Sequence, residues 1–179
     1  AGELLPRTTL EWWALMQHHG APTRLLDWTD SAYVAAFFAL VTAARDCAIW
    51  AVDRVWCRNA AADVASLAIG SAVTSDQLEG NFDAIFPASR IGMVMPVRPG
   101  VYNARLAIQQ GLFLCPGSAA SPFMENLGAL GARSDVRSRV VRITLAHGMR
   151  GMALQDLNYM NINRSSLFPG LDGFAASLR

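Results

Sequence analysis

Two apolar stretches with helical spacing frame a polar corner near the start of the chain. From Thr8 to His19, Leu10, Trp13, Ala14 and more weakly Gln17 recur at intervals of three and four, which predicts a helix. Thr8 or Thr9 suits its N-cap, Glu11 its first turn and Gly20 its stop. Pro22 forbids continuation, and Thr23 to Trp28 is short enough for a buried strand. Thr29 or Asp30 then caps a second helix, in which Val34, Ala35, Phe38, Ala39 and Val41 are spaced for burial on more than one side. The whole apolar run, Ser31 to Ala44, has 14 residues. A bilayer needs roughly 20, so a buried core helix is expected and no membrane partner.

Cys47 to Val52 reads as the next strand, and Asn59 to Ala72 and Ser75 to Phe86 as helices. Ile91 to Val97 is a short apolar run broken by Pro96, and Ala104 to Gln109 is ambiguous. Gly111 to Cys115 looks like a strand closed by Cys-Pro-Gly, 117–122 a loop, and Val140 to Leu145 another strand. The tail, Leu154 to Leu178, carries Pro169-Gly170 and Asp172-Gly173 turns before a last short helix. Helices interspersed with strands, without internal repeats, predict an α+β fold: a single domain over residues 1–179, with one mixed β-sheet flanked by helices.

Composition narrows the function classes. Of the 179 residues, 53% are hydrophobic and 16% charged, enough for one core without staples. The formal charge is +1, against a generic polyanion-binding surface, and all fifteen basic residues are Arg. Three cysteines with no C-x-x-C pair indicate neither a disulfide framework nor a metal site, which fits a reducing cytoplasm. The chain opens on Ala-Gly-Glu with no signal-peptide pattern and no initiating Met, so a segment upstream is expected.

Chemistry concentrates between the first two helices, where Gln17, His18, His19, Thr23, Arg24, Asp27, Trp28, Thr29, Asp30 and Ser31 fall together. One reading is a structural corner, with Asp27, Thr29 or Asp30 capping the second helix and Arg24 satisfying carbonyls. The other is a ligand cleft at the strand's end, where the next helix offers free N–H groups to an anion. Arg24 and Asp27, three apart in a regular strand, would point to opposite faces and not pair. The five Trp residues invite a base-stacking reading, but their spacing assigns most of them to the core.

Gln-His-His-Gly-Ala-Pro-Thr-Arg-Leu-Leu-Asp-Trp-Thr-Asp-Ser, running on into Val-Ala-Ala-Phe-Phe-Ala, closely resembles the signature of the bacterial FRG domain family. Asn103 to Phe113 is similar to the family's Arg, Gln, Gly, Phe block, and Ser166 to Gly173 to its C-terminal block. The eponymous Phe-Arg-Gly is absent ahead of Gln17, and Arg150-Gly151, preceded by Met149, is not its equivalent. The resemblance implies a fold like that of ADP-ribosyltransferases, and a domain that binds NAD and transfers or hydrolyses its ADP-ribose in a toxin or defence system. The alternative is a non-catalytic module recognising a nucleotide, nucleic acid or protein beside other domains of a parent chain.

Under the first reading, Gln109, Asp27 and His18 are the catalytic candidates, and Arg24, Trp28, Thr29, Ser31 and Arg105 bind NAD, with no metal. Gln109 would address the ribose hydroxyls, Arg24 the pyrophosphate and Trp28 the nicotinamide. Cleavage of the nicotinamide bond passes through an oxocarbenium-like state. A Gln can orient the ribose there but cannot stabilise positive charge as a carboxylate would. His18 falls where the family motif has His, which favours it over His19. His147 reads as a turn residue, and Arg105 and Gln109 share a face if their segment is helical.

Overall fold

A computed structural model describes residues 5–100, 104–133 and 136–169. In chain order the elements are α1 (Thr9–His18), β1 (Leu26–Thr29), α2 (Ala32–Val41), β2 (Cys47–Val52), α3 (Arg54–Ile69), α4 (Ser75–Gly80), α5 (Phe82–Ile85) and β3 (Val94–Val97). There follow α6 (Ala104–Ile108), β4 (Gly111–Pro116), α7 (Phe123–Ala129), α8 (Val136–Arg139), β5 (Val140–Leu145), α9 (Arg150–Tyr159) and α10 (Arg164–Leu167), with 3-10 turns at Leu130–Arg133 and His147–Met149. The fold is α+β, as the sequence predicts. Its strands fall into two sheets rather than one mixed sheet, in the orders β1-β4-β3 and β2-β5. The chain forms two compact units, residues 1–27, 52–101 and 113–140 in the first and 28–51, 102–112 and 141–179 in the second.

In the first unit, β3 and β4 pair antiparallel with Val94 opposite Pro116 and Val97 opposite Phe113. Every residue of β3 is buried, although it closes one end of its sheet. That edge position is what tolerates Pro96, since an edge strand does not need the missing N–H for a further neighbour. α3 covers the strand with Cys57, Ala61 and Ala65, and their small side chains let helix and sheet approach closely. The Cys57 thiol donates to the Val94 carbonyl at 3.3 Å. In the same unit α1 starts with a reciprocal cap: Glu11 N–H donates to Thr8 Oγ1 at 3.2 Å, and Glu11 Oε2 accepts from Thr8 N–H at 3.2 Å. Trp13 meets Phe82 edge-on at 5.7 Å, and Phe82 stacks on Phe86 at 4.5 Å.

The second unit has its own core, built on Val34, Phe37 and Leu40 of α2 with Leu157 of α9 and Leu167 of α10. Ser31, rather than Thr29 or Asp30, caps α2, its Oγ accepting from Val34 N–H at 3.3 Å. The far end of α2 is closed by Arg150, whose Nε donates to the Leu40 carbonyl at 2.8 Å and Nη2 to that of Val41 at 2.9 Å. A cation at a helix C-terminus satisfies free carbonyls and complements the helix dipole. Arg150-Gly151 therefore has a structural role of its own. The Pro169-Gly170 turn straddles the limit of description, and the Asp172-Gly173 turn and the last short helix lie outside the described residues.

Candidate functional site

The residues singled out by sequence divide between the two units: Gln17, His18, Arg24 and Asp27 belong to the first, and Trp28, Thr29, Ser31, Arg105 and Gln109 to the second.

In the first unit, Gln17 is the hub. Its Nε2 donates to Asp27 Oδ1 at 2.9 Å, and its Oε1 accepts from the Thr23 hydroxyl, which in turn accepts from Leu25 N–H at 3.1 Å. Because each end of the amide has a partner of the opposite kind, its orientation follows from the network. Asp27 is exposed, and no donor among the described residues reaches its second oxygen. His18 ends α1 exposed, touching the His19 ring edge-on at 5.2 Å. Arg24 lies outside β1. Its guanidinium donates to the carbonyls of Phe86 at 2.8 Å, Gly117 at 3.3 Å and Pro87 at 3.4 Å, and sits 5.2 Å from the Trp13 ring centroid. Arg24 and Asp27 face different partners, although not as alternating positions of one strand, since Arg24 precedes β1; the fork of Arg24 satisfies carbonyls.

In the second unit, a short relay links the start of α2 to the end of α6. The Thr29 hydroxyl donates to the Gln109 carbonyl at 2.7 Å and accepts from Ser31 N–H at 3.0 Å, while Asp30 N–H donates to the Gln110 carbonyl at 3.0 Å. Thr29 and Ser31 are therefore engaged in local bonding. Gln109 follows α6 and donates from Nε2 to the Leu167 carbonyl at 3.0 Å, and among the described residues nothing donates to its Oε1. The Arg105 guanidinium lies 4.7 Å from the Phe168 ring centroid, with no carboxylate partner among the described residues. Trp28 is half-buried, and its indole N–H is fully buried with no acceptor among the described residues. Phe168 is the residue that sequence reasoning missed. Its block was visible as family-like, but a contact across sixty-odd positions leaves no local pattern.

Among the described residues no three His, Cys, Asp or Glu side chains come together as a metal site, and no helix is long and apolar enough to cross a membrane. Cys47, Cys57 and Cys115 are unpaired. Burial pushes the Cys57 and Cys115 thiols up to about 12, which keeps both protonated and unreactive at neutral pH.

This is an α+β protein with a Gln17–Asp27–Thr23 network in the first unit and a Thr29–Gln109 relay in the second. Residues 3–47 match the family model of the FRG domain, so over this segment the chain carries the family signature that Gln17 to Ala39 resembles. The similar blocks at 103–113 and 166–173 lie beyond the matched residues. No curated protein and no solved structure matches the chain.

Proposed function

We propose that this FRG-domain chain binds NAD or a chemically similar nucleotide, with Arg105 meeting phosphate charge and Gln109 a ribose hydroxyl. The observation that carries the reading is the pinned amide of Gln109. With Nε2 held by the Leu167 carbonyl at 3.0 Å, Oε1 is the end left to accept a hydrogen bond, four residues from a guanidinium that has no carboxylate partner among the described residues. An acceptor for a hydroxyl beside a donor fork for a phosphate is the polar half of nucleotide recognition. The half-buried Trp28 ring offers an apolar face for a base. Thr29 and Ser31 serve this reading as framework, since their polar groups are already engaged, and Arg24 is spent on carbonyls of the first unit.

A second reading, transfer or hydrolysis of ADP-ribose, rests on Asp27, an exposed carboxylate whose Oδ2 has no partner among the described residues. Gln109 is neutral and cannot offset oxocarbenium charge as a carboxylate would. The three unpaired thiols fit a reducing, cytoplasmic setting.

Calorimetric titration with NAD tests the first reading. Saturable binding that Gln109→Ala and Arg105→Ala both weaken, with folding retained, supports it; absence of saturable binding refutes it. Nicotinamide release tests the second: turnover that falls by at least about tenfold in Asp27→Asn supports catalysis, and binding without turnover leaves a recognition module.

A further inference from the structure

We propose that a groove along α3 is a docking site for an apolar helical peptide segment that presents an Arg or Lys side chain to Asp63. The groove encloses about 390 Å³ and lies wholly within the first unit. Val55, Asn59, Asp63 and Leu67 succeed one another every four residues along α3 and form one ridge, and Ala129 and Leu130 supply the opposite wall. Val55 and Leu67, at the two ends, are 67% and 61% exposed. Twelve residues of helix put them roughly 18 Å apart. An open groove of that length, with an apolar side chain toward each end of its ridge, matches about three turns of a partner helix laid along it.

Charge selects the occupant. At one end Arg139 Nη1 holds Asp53 Oδ2 at 2.7 Å, and Asp53 Oδ1 accepts from Trp56 N–H at 3.0 Å, so this ion pair is neutralised internally. Asp63 has no ion pair or hydrogen bond among the described residues. Among the described residues, the ionisable side chains lining the groove therefore leave one uncompensated negative charge, set between Val55 and Leu67 on the ridge. A partner cation gains a carboxylate there, whereas a partner Asp or Glu at the same place is repelled.

The test is unbiased selection: a displayed library of randomised helical peptides of ~12 residues is panned against the full chain. Enriched sequences should carry an apolar i, i+3, i+4 stripe interrupted by Arg or Lys. Their synthetic copies should lose about two- to fivefold in affinity for Asp63→Asn, and more still for Asp63→Arg. Leu67→Arg should abolish binding with the helical circular dichroism unchanged; where that variant fails to fold, Asp63→Asn decides. Enrichment of no peptide, peptides without a cation, or unchanged affinity for Asp63→Arg would each overturn the proposal. Self-association of the chain that Leu67→Arg disperses would do the same, by giving the groove to a second copy.

Discussion

Arg24 is the residue whose removal separates architecture from ligand binding most clearly. Truncation to Ala takes away one short charge-assisted bond to the Phe86 carbonyl at 2.8 Å and two longer ones to Gly117 and Pro87 at 3.3 and 3.4 Å. A bond of the first kind contributes about 1.5–3 kcal/mol and each weaker one about 0.5 kcal/mol. The guanidinium also rests on Trp13, which adds about 0.5–1 kcal/mol. Discounting for partial exposure, Arg24→Ala should cost about 2–4 kcal/mol. The loss concentrates at one place, because Trp13 leans on Phe82, Phe82 stacks on Phe86, and Arg24 returns to the Phe86 carbonyl, closing a ring of contacts. Arg24→Lys keeps a charge but loses the fork and the flat stack, and should recover no more than about half of the deficit. Urea unfolding followed by tryptophan fluorescence measures all three proteins. A loss below ~1 kcal/mol for Arg24→Ala, accompanied by weakened nucleotide binding, would refute the reasoning and return Arg24 to the ligand.

Two glycines should respond oppositely to Ala. At Gly117 an added Cβ would stand 2.4 Å from the Ile91 carbonyl oxygen and 2.7 Å from Met93 Cγ, so Gly117→Ala should destabilise by about 1–3 kcal/mol, whereas Gly128→Ala, inside α7 with nothing within 4 Å, should stabilise by about 0.5–1 kcal/mol in the same unfolding assay. Asn126→Leu should cost about 3 kcal/mol or more in thermal or urea unfolding, because the fully buried amide accepts from Ser118 N–H and donates to the carbonyls of Ser118, Ser121 and Pro122. The cap on α3 and the Arg139 guanidinium hold the Asp53 carboxyl below its ordinary 3.8. Its contribution is therefore present above that value and lost as pH falls through the lowered one, so Asp53→Asn should flatten the acid limb of a stability-versus-pH curve below about pH 4. A chromogenic disulfide reagent at pH 8 should titrate Cys47 in the folded chain and all three thiols only after denaturation, since Cys57 and Cys115 are buried with pKa values pushed to about 12.

What the sequence discloses here is mostly local. The cap, first turn and end of α1 are written in Thr8, Glu11 and Gly20, and β2 and β5 coincide with the apolar runs Cys47–Val52 and Val140–Leu145. Ser75 to Phe86 reads as one helix but breaks at Asn81 into α4 and α5, since Asn81 closes the first with a backbone geometry outside the helical region. α9 and α7 have no clear stripe to announce them: Arg-Gly opens one, and the other follows Pro122 and carries Gly128 inside it. The pairing of strands four to six residues long is set by distant packing, which is why two sheets stand where one was expected. At the candidate site, residue types were legible but their partners were not. That Arg24 closes onto Phe86 and Gly117, and Arg105 onto Phe168, depends on contacts no window of the sequence contains.

The route of the chain has a practical corollary. It passes from one unit to the other five times, at 27/28, 51/52, 101/102, 112/113 and 140/141. Neither unit is a contiguous stretch of polypeptide. No single cut, at any position, can release either one whole, and a fragment covering only the 3–47 signature would carry pieces of both and the complete core of neither. Dissection of this protein by truncation is therefore the wrong instrument, and swapping the signature between chains would transplant parts of two units rather than a module.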